Sequence, residues 1–266
     1  TMTKRMKVAS IQMDVKFGQK RENYEKALVL LEEAKKRGSD VALLPELWDL
    51  GFFPENNLSQ MADLEGFETK AFLSSCARKL DMNIVGGSVV NKRGKGLYNS
   101  CFVFDRSGHL QAEYDKTHLF SPLNEDKFFT PGDHLSTFML DGVKCGVILC
   151  YDLRFPEFSR RLSLDGVEML FVSASWPLER KGHLLTLSRA RAIENEIYLV
   201  LSSSAGKRED IDFCGCSSIF SPTGELLATQ DNQEEGIVEA CFDEKEVYLA
   251  RTNLPVFKDR KPNLYK

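Results

Sequence analysis

The sequence predicts a single α/β domain in which helices cover layered sheets, and three observations support this class. Segments with helical periodicity alternate with apolar or strand-like segments along all 266 residues. No Pro/Gly/Ser-rich linker or change in composition divides the chain. Hydrophobic residues make up 42% and charged residues 28%, as in globular proteins that bury a large core. We therefore expect residues 1–266 to form one domain, whose two similar halves suggest an internal structural duplication.

The elements of the first half follow from hydrophobic periodicity. Residues 6–13 are predicted to form a strand, and residues 23–37 an amphipathic helix that ends at Gly38. Residues 41–44 are uniformly apolar, which is typical of a strand covered on both faces. The other predicted elements of this half are a helix at 67–80, a strand at 84–90, and a hairpin formed by 100–105 and 110–114.

The second half begins with a hairpin, because Asp141-Gly142 separates the strand-like segments 136–140 and 143–149. Beyond it we predict a helix at 156–164, a strand at 168–173, a helix at 182–194, and strands at 198–202, 217–220, 226–229 and 237–242. The final segment, residues 251–266, is polar and contains proline. We expect it to be a C-terminal tail that can contact another subunit.

The composition argues against several classes of partner. A net charge of -4 disfavours nucleic acid, whose binding needs a basic face. We expect a cytoplasmic protein without a membrane partner, because the chain has no secretory-type apolar segment and no run of ~18 apolar residues. Seven cysteines without a CxxC pair fit neither a disulfide framework nor a zinc ribbon. Cys214 and Cys216 are interpreted as neighbours on one face of a strand, and no metal or other cofactor is expected.

Three reactive side chains stand at the edges of apolar or strand-like segments: Glu46, Lys116 and Cys150. Taken singly they can be explained as a salt-bridge partner, a solvated charge and a core thiol. Together they supply the base, the positive charge and the nucleophile of acyl transfer. Because Cys150 directly follows the segment 143–149, a sharp turn from strand to helix would expose its sulfur, and the Tyr151 N–H could bind an oxyanion.

Histidine and serine offer alternative chemistry. A Cys–His site would need one of the four histidines, and His118 and His183 could approach the pocket. We interpret both as orienting or structural groups. A serine hydrolase is disfavoured because the chain has no GxSxG motif.

Three sequence blocks resemble the active-site blocks of the nitrilase superfamily of carbon–nitrogen hydrolases. They are residues 44–48 (LPELW), 114–120 (YDKTHLF) and 149–157 (LCYDLRFPE), and the resemblance spans nearly the whole chain. It implies a four-layer α-β-β-α sandwich that pairs into a homodimer, and a catalytic triad of Glu46, Lys116 and Cys150. A further glutamate of the family falls at Glu125, for which the resemblance implies an active-site role.

Within the superfamily the chain looks most like the omega-amidase branch, on the third block together with residues 45–48 and 175–177. The resemblance implies hydrolysis of the terminal amide of a small dicarboxylate monoamide, such as 2-oxoglutaramate or succinamate, through a Cys150 thioester and without a cofactor. Two alternatives stay open: hydrolysis of an N-carbamoyl amine or another aliphatic amide, and a catalytically silent binding protein.

Two residues are candidates for substrate binding. Arg154 could hold a carboxylate at the far end of the substrate, since a guanidinium binds a carboxylate through two hydrogen bonds. It could equally pair with Glu157 or another acid at the surface. Trp176 could form a wall of the pocket or belong to the core, and the same two interpretations apply to Phe52 and Phe53.

Overall fold

The structure, a computed structural model, describes residues 3–51 and 57–265, so Phe52 and Phe53 lie outside the described residues. The described strands are β1 (Arg5–Gln12), β2 (Val41–Leu43), β3 (Asp63–Leu64), β4 (Asn83–Val85), β5 (Val89–Arg93), β6 (Gly96–Phe104), β7 (Leu110–Asp115), β8 (Thr137–Leu140), β9 (Val143–Leu149), β10 (Met169–Ala174), β11 (Tyr198–Ser203), β12 (Lys207–Arg208), β13 (Ile211–Asp212), β14 (Ser217–Phe220), β15 (Leu226–Gln230) and β16 (Gly236–Asp243). The described helices are α1 (Lys20–Lys36), α2 (Leu58–Met61), α3 (Phe67–Leu80), α4 (Glu125–Phe128), α5 (Pro156–Leu164), α6 (Lys181–Asn195), α7 (Glu244–Asn253) and α8 (Val256–Asp259).

Two large sheets organise these elements. The first sheet has the order β16-β1-β2-β4-β6-β5-β3, with β7 paired to β6, and the second has the order β15-β14-β11-β10-β9-β8. The centre of each sheet is parallel, as in the β1-β2-β4 and β9-β10-β11 sets. Both predicted hairpins are confirmed, since β6 pairs with β7 and β8 with β9 in antiparallel register.

Three of the four hydrophobic clusters among the described residues lie between four layers of secondary structure. One cluster lies between the two sheets and includes side chains such as Val41 on β2 and Val147 on β9. A second cluster packs α1 and α3 on the first sheet, and a third packs α5 and α6 on the second. Burial of each large aliphatic side chain contributes ~1.5–3 kcal/mol, so the sandwich gains stability from both faces of each sheet. The α-β-β-α architecture implied by the resemblance is confirmed.

The predicted strand at 84–90 is wrong, because β4 ends at Val85 and a new strand begins at Val89. The break lies at Gly86-Gly87, where Gly87 has φ +60. A Cβ at Gly87 would lie 2.1 Å from the carbonyl oxygen of Pro45. The chain therefore approaches the turn around Pro45 so closely that a continuous strand of larger residues could not pass there.

Residues 251–265, the predicted C-terminal tail, include the end of α7, all of α8 and a 3₁₀ turn, and their contact with another subunit stays a prediction. The Phe257 ring of α8 lies 5.0 Å from the Arg160 guanidinium, which helps to fix α8 on α5.

The interpretation of Cys214 and Cys216 as neighbours on one face of a strand is wrong. Both residues are buried, but they lie in the loop before β14, since the positive φ of Gly215 and Cys216 prevents strand geometry. No helix among the described residues is long and apolar enough to cross a membrane.

Candidate active site

The predicted reactive side chains lie next to each other, and each follows the end of a different strand. Glu46 lies shortly after β2, Lys116 directly after β7, and Cys150 directly after β9. The first two strands belong to the first sheet and β9 belongs to the second, so the site lies where the two sheets meet. Glu46 and Lys116 are 0% exposed and Cys150 is 6% exposed, which means that the group is almost completely shielded from water.

The structure also places Glu125 in this group. The Lys116 Nζ donates one hydrogen bond of 2.9 Å to Oε1 of Glu46 and another of 2.9 Å to Oε2 of Glu125. Each carboxylate keeps a second buried oxygen, Glu46 Oε2 and Glu125 Oε1, without a hydrogen bond to nitrogen or oxygen of the described residues, and the Glu46 carboxylate also interacts with the Cys150 thiol. A buried acceptor without a partner is costly, so both oxygens are prepared to receive a proton or a substrate N–H.

The electrostatics of the site follow from this burial. Burial raises the pKa of Glu46, although the Lys116 ammonium partly opposes the shift. Burial would lower the pKa of Lys116, but the Glu125 and Glu46 carboxylates together hold it well above its usual range. Burial and the Glu46 charge raise the pKa of the Cys150 thiol, against the effects of Lys116 and the Ser175 N–H. The resting site therefore contains a thiol and an ammonium, with a carboxylate that is a stronger base than usual.

The Cys150 turn is held by Asp152, which the sequence interpretation did not single out. Cys150 has φ +46 and begins a 3₁₀ helix. Asp152, which is 0% exposed, accepts hydrogen bonds at Oδ2 from the Leu149 N–H at 2.9 Å and from the Tyr114 hydroxyl at 2.6 Å. Its Oδ1 accepts from the His118 N–H at 3.0 Å. This one carboxylate thus connects the Cys150 turn to the loop that carries Lys116. The signal in the sequence was an acid within the third block, next to apolar residues.

The turn at Glu46 is held by the segment between β4 and β5. Leu47 has φ +46, and its N–H donates to the Ser88 hydroxyl at 2.9 Å. The N–H of Trp48 donates to the Ser88 carbonyl at 3.1 Å, and its indole N–H donates to the Gly86 carbonyl at 2.8 Å. These bonds fix the backbone on the C-terminal side of Glu46, which is why the carboxylate can stay in one position while buried.

Asn99 is a further member of the site that sequence reasoning missed. It lies on β6, is 0% exposed, and donates from Nδ2 to Oε1 of Glu46 at 3.0 Å. Its backbone carbonyl accepts the Lys116 N–H at 2.8 Å. Asn99 therefore contacts both charged residues. The available signal was the polar pair Asn99-Ser100 inside a largely apolar strand, but nothing in the sequence indicated which residue Asn99 would contact.

A cavity of ≈ 310 Å³ opens on Cys150 and is lined in part by Tyr151, Arg154 and Trp176. Trp176 is 3% exposed within a hydrophobic cluster and also lines the cavity. The Arg154 guanidinium lies 4.5 Å from the Trp176 ring and 3.3 Å from Nδ1 of His183. Among the described residues it does not pair with Glu157, and its role in substrate binding stays a prediction.

Comparison with known proteins gives consistent similarities over nearly the full length. Residues 7–252 match the carbon-nitrogen hydrolase family. The chain is 38% identical to a 2-oxoglutaramate amidase of Bacillus subtilis (strain 168) over 258 residues, which cover 97% of this chain and 98% of that protein. It is 31% identical to an omega-amidase of Homo sapiens over 259 residues, 92% of each chain. The crystal structure of a carbon-nitrogen hydrolase from Helicobacter pylori G27 has a TM-score of 0.92 at 26% identity, covering 98% of this chain and 97% of that one.

Proposed function

The chain belongs to the carbon-nitrogen hydrolase family, and on that basis we propose that it hydrolyses the terminal amide of a small dicarboxylate monoamide to a carboxylate and ammonia. The observation that carries the proposal is the buried group in which Lys116 joins Glu46 to Glu125 beside the Cys150 thiol. The substrate class, of the 2-oxoglutaramate or succinamate type, is supported by relatives named as 2-oxoglutaramate amidase and omega-amidase.

The first chemical step is attack of Cys150 on the amide carbon. Because burial raises the pKa of the thiol, a thiolate is costly in the resting site, and Glu46 takes the thiol proton as the S–C bond forms. The raised pKa of Glu46 makes it a better base for this transfer. The proton then passes to the amide nitrogen, the C–N bond breaks, and ammonia leaves a Cys150 thioester.

The developing oxyanion is stabilised by the Lys116 ammonium and the Tyr151 N–H. In the second half of the reaction Glu46 removes a proton from water, and the resulting hydroxide attacks the thioester carbon. The C–S bond breaks, the thiol regains its proton, and the carboxylate product leaves. Glu125 holds Lys116 in place through its 2.9 Å hydrogen bond and offers its second oxygen to the N–H groups of the substrate amide.

The other end of the substrate is held in the cavity beside Cys150. Arg154 binds the substrate carboxylate remote from the amide. The Trp176 ring packs against the Arg154 guanidinium and against the methylene groups of the substrate. A reducing cytoplasm would keep the nucleophile as a thiol, which agrees with the seven cysteines, all of them free among the described residues.

Homodimer formation is part of the proposal. Leu164 of α5 and Ile193 of α6 are exposed large hydrophobic residues, and so are Leu254 and Tyr265 near the C-terminus. A second copy would cover this surface and remove apolar area from water. Light scattering after size exclusion tests this point, and a monomer at micromolar concentration contradicts it.

The function is tested by measuring ammonia release from succinamate, 2-oxoglutaramate, an N-carbamoyl amine and butyramide. We expect kcat/KM to be highest for succinamate and 2-oxoglutaramate. The Cys150→Ala variant should lose turnover of both. Cys145→Ala is the matched control, because Cys145 is a buried thiol on β9 outside the site. Preference for the carbamoyl amine or butyramide would replace the substrate class, and no turnover of any substrate would favour a binding protein.

Labelling with iodoacetamide gives an independent test of the nucleophile. Cys150 should react and activity should fall in proportion, whereas the exposed thiol of Cys241 reports reagent access and should react without effect on activity. Inactivation without label on Cys150 would contradict its assignment as nucleophile.

A further inference from the structure

The cavity that opens on Cys150 contains a second guanidinium, that of Arg180. Arg180 ends the 3₁₀ turn Leu178–Arg180 and directly precedes α6. No motif in the sequence marks it, and the three active-site blocks do not include it. Its position in the cavity makes it a candidate for contact with the part of the substrate that does not react.

Both guanidiniums lie on aromatic rings that belong to the site. The Arg154 Cζ is 4.5 Å from the centroid of the Trp176 ring, and the Arg180 Cζ is 5.4 Å from that of the Phe120 ring. Phe120 is connected to the catalytic group, because its N–H donates to Oε2 of Glu125 at 3.1 Å. Contact with a ring restricts a long side chain, and the N–H groups at the edge of the guanidinium stay available for a ligand.

Neither guanidinium forms an ion pair with a carboxylate of the described residues, although other arginines of this chain do. Arg106, for example, pairs with Asp141 and Asp81. Arg154 and Arg180 line the same cavity, and the pKa of Arg154 is lowered by burial and further by the positive charge of Arg180, so the two cations repel each other. The N-terminus of α6 adds partial positive charge, and the first turn of this helix contains no acid.

Two acids, Glu179 and Asp210, also line the cavity, so their effect must be weighed. Both side chains belong to exposed residues, whereas Arg154 and Arg180 are partly buried. Charges in water are screened more strongly than charges at a partly buried wall. The groups that shift the pKa of Arg154 include Arg180 but neither acid. The two guanidiniums are therefore less screened than the two acids of the cavity.

We propose that Arg180 is a specificity-determining residue, which with Arg154 forms a paired-guanidinium site for the substrate carboxylate remote from the amide. The proposal rests on the proposed function and deepens it. A carboxylate between two guanidiniums accepts several charge-assisted hydrogen bonds and removes the repulsion between the cations. A neutral amide leaves that repulsion in place. The pair thus selects monoamides of dicarboxylic acids over neutral aliphatic amides.

The test compares succinamate with butyramide, in which a methyl group replaces the carboxylate. The readout is the ratio of kcat/KM for the two substrates in wild type, Arg180→Gln and Arg180→Lys. We expect Arg180→Gln to lower this ratio by about 10- to 100-fold, mainly through a higher KM for succinamate. Arg180→Lys should recover part of the ratio, because it keeps the charge but loses the planar fork.

Arg189→Gln is the matched control, since Arg189 is an exposed arginine of α6 that does not line the cavity. It should not lower the ratio. Thermal unfolding of each variant establishes that it is folded. If wild type prefers succinamate and Arg180→Gln retains that preference, the paired site is wrong while the proposed function stands. If wild type itself prefers butyramide, the proposed substrate class is wrong. If Arg180→Gln then shows the same ratio as wild type, the proposed role of Arg180 is wrong as well.

Discussion

The ammonium nitrogen of Lys116 lies 2.9 Å from Oε2 of Glu125, the same distance that separates it from Oε1 of Glu46. One buried cation is thus shared by two buried carboxylates. Removing Lys116 would leave two buried carboxylates without a counter-charge, which costs far more than loss of a surface ion pair. The arrangement also sets the basicity of Glu46: burial raises its pKa, the Lys116 charge lowers it, and the Glu125 charge raises it further.

This relationship predicts the effect of Glu125→Gln on the pH profile. Without the Glu125 charge, Lys116 acts on Glu46 alone, so the pKa of Glu46 should fall. Turnover needs the ionised form of Glu46, so the acidic limb of kcat/KM should move to lower pH, while the maximum falls by at least about 100-fold because Glu46 is a weaker base.

The measurement is the pH dependence of kcat/KM for succinamate from about pH 4 to 9, a range that spans the titration of a carboxyl with a raised pKa. Glu157→Gln is the control, because it removes an equal charge from an exposed position on α5. An acidic limb at the same pH in Glu125→Gln and wild type would contradict the coupling between Glu125 and Glu46.

The active-site residues differ in how far the sequence could reveal them. Glu46, Lys116 and Cys150 are marked by their position at strand ends and by blocks of neighbouring residues. Asn99 and Arg180 carry no such mark, because their roles depend on contacts between distant segments. Asn99 meets Glu46 across 53 positions of sequence, through pairing of strands that no local pattern specifies.

A second prediction concerns Asp152, a positioning residue that touches neither substrate nor Cys150. Asp152→Asn keeps one acceptor but cannot satisfy the donors of Leu149, Tyr114 and His118 together. The Cys150 turn and the Lys116 loop should then lose their fixed relation. We expect kcat to fall by at least about 10-fold and KM to change little, since the cavity wall is intact.

Asp165→Asn is the control for this change, because Asp165 forms an ion pair with Arg161 at the surface. Steady-state kinetics with succinamate separate kcat from KM, and calorimetry reports stability. Loss of stability with an unchanged kcat per folded molecule would show that Asp152 supports the fold alone.

A third prediction compares two glycines that have nearly equal φ angles. Gly87 has φ +60 and Gly94 has φ +58. A Cβ at Gly87 would lie 2.1 Å from the Pro45 carbonyl oxygen, whereas a Cβ at Gly94 has nothing within 4 Å. Gly94→Ala should therefore cost ~1 kcal/mol from backbone strain alone.

Gly87→Ala adds a steric clash against the turn that carries Glu46. We expect it to lower the free energy of unfolding by at least about 3 kcal/mol and to reduce kcat in the molecules that remain folded. Chemical denaturation of both variants measures the difference. An equal decrease in the free energy of unfolding of the two variants would mean that the close approach of Gly87 to Pro45 does not affect stability.

The sequence predicts an element correctly where local periodicity determines its bounds. The prediction fails where packing against a distant segment determines them. The helix at 67–80 and the strand at 143–149 have the predicted bounds, because their apolar spacing is strong. The strand at 84–90 was wrong because Gly86-Gly87-Ser88 separates its two apolar pairs, and the chain turns there beside Pro45. The short strands β12 and β13 escaped prediction since two residues are too few to show alternation.

The last prediction concerns Asp49, which is 0% exposed and close in sequence to Glu46. Its carboxyl accepts hydrogen bonds from the N–H groups of Leu50 at 2.8 Å and Val90 at 3.2 Å. Burial raises the pKa of Asp49 to about 7, against the opposing charge of Lys20. In the unfolded chain the usual value of 3.8 applies. Between these two values the folded protein keeps a proton that the unfolded chain releases.

The free energy of unfolding should therefore fall as the pH rises from about 4 to 7, by on the order of 3 kcal/mol from this group. Asp49→Asn cannot ionise, so the variant should lack this part of the slope. Asp126→Asn, an exposed acid on α4, is the control for loss of one charge. Urea denaturation at several pH values measures the slope, and the absolute stability of Asp49→Asn does not enter the comparison. A slope in Asp49→Asn equal to that of wild type would mean that Asp49 is already ionised in the folded protein at low pH.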